Sequence, residues 1–493
     1  MDQGIRTEIT RKIEKGETVE LKFAYADSEL LMFINSIMAK ELAKMDHIYL
    51  LNSMITILRE VIVNAMKANA KRVFFIKNNL DIKDKAGYKE GMSRFKEEVI
   101  GEFDAIEKDL KNSDYYVKID FSRNDQNLHV VINNNTPILT EELERINLRI
   151  GKALKYNDFS DAYDEIEDDT EGAGLGIVLT ILFLKNMGID PKTFSITTNG
   201  NETKTTLFVP RDLRPPQITS KIRDEIVADV EGIPTFPENI VRLLNLCNSP
   251  DSTMEIIADK ILMDPALAAD VIKLSNSAGF VPGKRIETVL EAVKTIGLKN
   301  VNAILVASNA RSILEKRYAS FEEIWRHLTK TAFYARNIGL MLKKPGLADN
   351  AFMAGLLHDL GKIVLLATNL QLVEKVAETI KNRRIITSTV MEEISIGISH
   401  SQIGELIAKK WNFPDYLVEA IRYHHAPHSS SEQHRDLAFS VYLANMLCGI
   451  DDKKYYYFYC DEIVLERFGI LEEEKFRDLH GKLKGKWELN LEE

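Results

Sequence analysis

The stretch Ala351-Phe-Met-Ala-Gly-Leu-Leu-His-Asp-Leu-Gly-Lys-Ile-Val-Leu-Leu-Ala367 sets His358 and Asp359 side by side inside an otherwise apolar run of helical character. An uncompensated carboxylate buried in such a run loses several kcal/mol of hydration. The pair therefore needs a metal ion, a charged partner or a dense set of hydrogen bonds. Adjacent His and Asp can ligate one cation together, and more imidazoles are close at hand, since seven of the ten histidines lie between His327 and His434.

The surrounding half reads as all α. Helical spacing marks Glu238–Asn248, Thr253–Met263, Ala266–Ser275 and Ile286–Ile296, with Pro250 and Pro265 near segment starts and Gly297 after a segment end. The order Ile233-Pro-Thr-Phe-Pro, Asp264-Pro-Ala-Leu, Lys273-Leu-Ser-Asn-Ser-Ala278, Ala292–Leu298 and Trp325-Arg-His327 continues into the Gly355–Gly361 core. His400-Ser-Gln-Ile-Gly404, Trp411-Asn-Phe-Pro414 and His424-His425 follow. Over Ile222–Leu447 this string resembles the HDOD domain, a signalling offshoot of the HD superfamily of metal-dependent phosphohydrolases.

The resemblance implies an all-α HD-like fold in which His327, His358, Asp359, His400, His424 and His425 occupy metal-ligand positions for one or two Fe, Mn or Zn ions. Two departures bear on activity. The remaining family ligand, an Asp, is Asn445 here, in Leu443-Ala-Asn-Met-Leu447. The Gly-Tyr-Pro segment that marks cyclic-dinucleotide phosphodiesterases is replaced after His425 by Ala-Pro-His-Ser-Ser-Ser. The aromatic run Tyr455–Tyr459 reads as packing.

The N-terminal third has a different grain. Leu51, Met54, Ile55, Leu58, Val61, Ile62, Ala65 and Met66 recur at helical spacing, which predicts one long helix over Leu50–Ala70 packed on a sheet. Glu60 and Asn64, four residues apart, share one face of it. Strands are expected at Tyr116–Phe121, Leu128–Ile132, Phe194–Thr198 and Thr205–Val209, with Asn-rich turns between the members of each pair. Glu171-Gly-Ala-Gly-Leu-Gly-Ile177 opens a helix through Leu184, where backbone N–H groups can approach an anion.

Together, Glu60-x-x-x-Asn64, the hairpin and Gly172-x-Gly174-x-Gly176 resemble the GHKL ATPase domain of histidine kinases, gyrase and the ninety-kilodalton chaperones, over about Leu50–Pro210. The resemblance implies an α+β sandwich, Glu60 as general base, Asn64 as Mg²⁺ ligand, and the three glycines as a phosphate-binding lid hinge for Mg-ATP. The family's adenine-reading Asp is Asn133 here, and Asn135 and Pro137 stand where two glycines are usual. Between Asp158 and Glu171 lie eight acidic residues and no Lys or Arg, a charge that repels polyphosphate unless Mg²⁺ intervenes. No phosphoacceptor-histidine helix pair precedes the domain, and Lys77–Lys111 reads as a charged helical insertion.

These readings divide the 493 residues into a GHKL-like domain at 1–209, a Pro-rich linker at 210–221, an HDOD domain at 222–447 and a helical extension at 448–493. Three scattered cysteines indicate neither a disulfide framework nor a zinc knuckle. A formal net charge of −10 opposes a sequence-independent grip on nucleic acid. No continuous apolar run approaches the roughly 20 residues of a membrane span, and the expected location is the cytoplasm. The expected role is signal transduction, with a degenerate ATPase-like domain regulating an HDOD output that binds an unidentified signalling protein; homodimerisation is left open. The rivals are a metal-dependent phosphohydrolase acting on a nucleotide or cyclic dinucleotide, and an ATP-driven GHKL kinase or switch.

Overall fold

Strand alternation in the N-terminal third builds one antiparallel sheet. A computed structural model describes residues 3–82, 84–95, 106–156, 175–213, 221–277, 280, 285–318, 321–368 and 388–492. The chain divides into two compact units, Met1–Ile218 and Thr219–Glu493. In the first, β1 (Val19–Phe23), β2 (Val117–Arg123), β3 (Asn127–Asn134), β4 (Ser195–Thr198) and β5 (Thr203–Pro210) pair in the order β1-β2-β3-β5-β4, every pair antiparallel. Asn124 Oδ1 accepts from the backbone N–H of Gln126 and Asn127, at 2.9 and 2.7 Å, and so fixes the β2–β3 turn and its register.

That register decides which side chains face inward. Along β3 the buried residues are Leu128, Val130, Ile132 and Asn134, and along β5 Leu207 and Val209 among others. Each fully buried aliphatic side chain contributes roughly 1.5–3 kcal/mol over exposure. Seven helices accompany the sheet among the described residues: α1 (Gln3–Lys15), α2 (Ser28–Ala43), α3 (Leu51–Lys77), α4 (Lys85–Phe95), α5 (Glu107–Lys111), α6 (Thr140–Ala153) and α7 (Leu175–Asn186). The long α3 packs on β2 and β3 and against α7. The expected combination of one sheet with helices is present; β1, α1, α2 and α6 are additions to the expected set. Among the described residues the expected insertion forms α4 and α5, and Phe95, Ile106 and Leu110 join Phe74 and Phe75 of α3 in a satellite core.

The second unit is helical throughout its described residues. It opens with α8 (Lys221–Glu231), α9 (Glu238–Asn248), α10 (Met254–Leu262), α11 (Pro265–Ser277) and α12 (Val289–Arg317), the last broken at Gly297 by a φ of 78°. Then come α13 (Glu322–Met341), α14 (Leu347–Leu357), α15 (Leu360–Thr368), α16 (Ser388–Ile396), α17 (His400–Lys410), α18 (Asp415–Tyr423), α19 (Arg435–Asp451), α20 (Glu462–Arg467) and α21 (Glu473–Glu492). Helix α13 packs along α14 and α19, and α17 packs on α15 and α18. Gly361 lets α15 and α17 touch backbone to backbone: a Cβ there would lie 2.0 Å from the His400 carbonyl oxygen and 2.5 Å from Gly404 N.

Two helical stretches, Ile48–Lys77 and Leu347–Thr368, are long and on average apolar enough to cross a bilayer, although neither is one unbroken apolar run. More than half of the most apolar window of each is buried (56% and 72%), the pattern of core helices. Gly172, Gly174, the acidic run of 158–171 and much of the Pro-rich stretch lie outside the described residues.

Candidate functional site

Four short stretches converge in the second unit, and all their site residues except His327 stand at helix ends. His358 caps α14, Asp359 sits in the step to α15, His400 opens α17, and His424 and His425 close α18. Ser399 positions His400: its backbone N–H donates to Gln402 Oε1 at 2.8 Å in a capping box. His327 projects from the first half of α13. The structure thus brings together all six residues expected to hold metal.

Asp359 is the hub. Its Oδ1 lies 3.1 Å from His400 Nε2 and 3.3 Å from His424 Nε2, while Oδ2 lies 3.7 Å from both His358 Nε2 and His327 Nε2. The Lys362 ammonium stands 3.5 Å from Oδ2. Burial alone would raise this carboxyl's pKa, but Lys362 and the surrounding imidazoles outweigh it and hold Asp359 well below the usual carboxylate range.

The outer hydrogen bonds set the ring tautomers. His358 Nδ1 lies 2.9 Å from the Gly355 carbonyl and His424 Nδ1 2.7 Å from the Ile421 carbonyl. A carbonyl only accepts, so each Nδ1 carries the proton and each neutral ring turns a lone pair on Nε2 toward Asp359. Desolvation keeps both rings neutral, His358 well below the usual histidine range and His424 below it; His425 is likewise held well below by burial. His400 differs. Its Nδ1 donates to Glu392 at 2.7 Å and its backbone N–H donates to the same carboxylate at 2.8 Å. Burial works against its charge, but Glu392 and Asp359 together push its pKa up to about 9.

In this state His358 Nε2 and Asp359 Oδ1 are buried without a well-aligned hydrogen-bond partner. Orphaned inward-facing donor atoms of this kind fit a cation. Ligand atoms of Asp359, His400, His424 and His425 lie within 4.8 Å of one another, as do those of His327, His358 and Asp359. On His327 the fit weakens. Its Nε2 is 3.1 Å from Asn445 Oδ1, so a neutral ring donates there and its inward nitrogen is occupied. Burial lowers its pKa to about 4, which keeps it neutral.

Glu392 carried little signal in the sequence: it stands eight residues before His400, and only its place in the apolar Val390–Ile398 stretch singles it out. Lys362 sits one turn past Asp359 in the opening motif, and the sequence alone assigns it no role.

In the first unit, Glu60, Asn64 and Gly176 do meet. Asn64 Nδ2 donates to Glu60 Oε1 at 3.0 Å, and a Cβ on Gly176 would fall 1.7 Å from the same oxygen. All three line a cavity of about 300 Å³. Asn133 does not join them, which corrects its expected role. Strand parity turns it to the other face of β3, and the cavity is lined by Asn134 instead. Asn134 Nδ2 donates to Thr136 Oγ1, which donates in turn to Asn69 Oδ1 at 2.9 Å.

Comparison with known proteins gives a family for part of the chain. Residues 233–427 match the family model of the HDOD domain. These residues form an HDOD domain. A longer match is an uncharacterized protein of Treponema pallidum, 29% identical over 429 residues, covering 87% of this chain and 83% of that one. Among solved structures, an HDOD domain protein of unknown function from Geobacter sulfurreducens is 21% identical (TM-score 0.45), covering 55% of this chain and 95% of that one. A Shewanella amazonensis protein provisionally named a metal-dependent phosphohydrolase is also 21% identical (TM-score 0.37), covering 55% of this chain and all of that one. The HDOD match ends before Asn445 and the C-terminal helices, and it leaves the first unit without a family.

Proposed function

We propose that the chain is a signal-transduction protein whose HDOD domain binds a partner, and that its His/Asp centre holds a single divalent ion as part of a fixed polar core. The observation that carries this reading is the His327–Asn445 hydrogen bond, which replaces a His–Asp ligand pair by a neutral contact. Asp359, His400, His424 and His425 would hold the ion; Fe, Mn and Zn all suit imidazole-rich ligation. When bound, such an ion supplies Lewis acidity and a lowered pKa for attached water. The residues of this chain orient the imidazoles through Gly355, Ile421 and Glu392, and Lys362 adds positive charge beside Asp359.

The first unit supplies the input in this reading. It is a GHKL-like fold that has lost the adenine-reading Asp, so Mg-ATP binding is weak and Glu60 drives no turnover. A purine contact reduced by ~1.4 kcal/mol already lowers affinity tenfold.

A second reading, hydrolysis of a nucleotide or cyclic dinucleotide, is favoured by the intact Asp359, His400, His424 and His425 group. Metal analysis of the purified protein beside a phosphodiesterase and phosphatase screen separates the two. One ion per chain without turnover is expected for the wild type, and Asn445→Asp should increase metal retention. Two ions with brisk cleavage would replace the signalling reading by the enzymatic one.

A further inference from the structure

The cavity of the first unit is electrically lopsided. Helix α3 lines its length, with Glu60 and Asn64 at one end and Lys71 and Arg72 two turns on. At 1.5 Å per residue, Asn64 and Arg72 are ~12 Å apart along the axis. Helix α6 adds Arg145 and Arg149 to the lining. The walls between are apolar, from Val61, Ala65, Ile177 and Ile196 among others.

At the cationic end, Arg72 has a nitrogen to spare. The nearby carboxylate of Glu142 is already engaged: Lys71 pairs with it, Tyr88 Oη donates to it at 3.2 Å and the backbone N–H of Leu139 at 3.2 Å. Arg72 is only 8% exposed. Its Nη2 donates to the Pro137 carbonyl at 2.8 Å, and its Nη1 is buried with no acceptor. A guanidinium does not shed its proton at accessible pH, so it cannot neutralise itself. A buried guanidinium with one nitrogen unmatched beside an apolar wall calls for an anion.

We propose that this cavity binds a small amphipathic organic anion, its carboxylate or phosphate monoester held by Arg72 with Arg145 and its apolar body lying over Ala65, Ile177 and Ile196. The polarity runs opposite to that of a nucleotide whose phosphates sit at the glycine turn, because Gly176 lies at the Glu60 end. A volume of about 300 Å³ is at the lower end of small-molecule sites. This gives the proposed input unit a ligand class. The binding itself is read without the HDOD metal centre, so the two proposals fail separately.

The test is calorimetry and thermal shift on the full chain with octanoate, phenyl phosphate, their neutral counterparts octanol and phenol, and Mg-ADP. At least one of the two anions should bind and raise the melting temperature, and which one does distinguishes a carboxylate from a phosphate ligand. The neutral counterparts should not. Arg72→Met should weaken anion binding at least tenfold while the unliganded variant melts no lower than wild type, because a buried, incompletely matched charge has gone. Arg145→Met, at the more exposed wall, should weaken binding in the same direction and decides the matter if Arg72→Met does not fold. Failure of both anions to bind at millimolar concentration, equal binding of the neutral compounds, or variants that bind like wild type would each overturn the proposal. So would Mg-ADP binding more tightly than either anion and independently of Arg72.

Discussion

Asp359 has 2% of its side chain exposed and four imidazole nitrogens within 3.7 Å. Removing it strands the charged His400 ring, whose Nε2–H faces Oδ1. In metal-stripped protein, Asp359→Ala is expected to cost about 3–5 kcal/mol by chemical denaturation. The double change His358→Leu with Asp359→Leu should cost less than Asp359→Ala alone, since it also removes the buried, unpaired Nε2 of His358 and fills the space with apolar side chains. His400 makes the centre pH-sensitive. Its folded pKa of about 9 exceeds the ordinary value of 6.5, so in the metal-free protein its contribution to stability is full below about pH 6.5 and is lost as pH rises through 9. A metal competes with that proton for Nε2, and uptake should strengthen over the same range with release of about one proton per ion. Titration at fixed metal concentration from pH 6 to 9 checks the sign. His358 and Asp359 stand out in the sequence because an imidazole-carboxylate pair in an apolar run is costly to bury without a shared partner; His327, His400, His424 and His425 entered only through the resemblance. Glu392 was not legible, because a carboxylate eight residues away is recognisable only once α16 and α17 fold together. Asn133 misled because Asn133, Asn134 and Asn135 are adjacent, and only the strand register says which faces inward.

Helix contacts set how much a single methyl costs. Helices α15 and α17 meet at Gly361, where an added Cβ would overlap the carbonyl of His400. Relief requires backbone movement rather than a rotamer change, so Gly361→Ala is expected to destabilise by about 3 kcal/mol or more and to weaken metal retention by displacing His400. Denaturation and metal analysis of this one variant test both effects. Gly481→Ala, in α21 with open space around it, should be neutral or stabilising by up to about 1 kcal/mol. Elements with strong periodicity were legible: the expected Glu238–Asn248 helix has the observed bounds, and the expected helix beginning at Leu50 runs to Lys77 instead of Ala70. The strand β1 was not, because Val19–Phe23 is five residues long and finds its place only by pairing with β2, nearly a hundred residues later.

Over the whole chain, the division at Ile218 and Thr219 implies that Thr219–Glu493 expressed alone keeps its helical circular dichroism and its metal. Loss of either would mean that the first unit is needed to assemble the centre. The C-terminal helices should be needed. Asp451, which ends α19, receives Lys330 Nζ at 2.6 Å and Tyr334 Oη at 2.8 Å from α13, and His480 Nε2 at 2.9 Å from α21. It therefore ties the extension to the helix that carries His327. The most direct test of the single-ion centre is an anomalous-scattering scan of crystals grown from metal-replete protein. One ion per chain is predicted among Asp359, His400, His424 and His425, with His327 still bonded to Asn445. Two ions, or a single ion ligated by His327 and Asn445, would contradict the account.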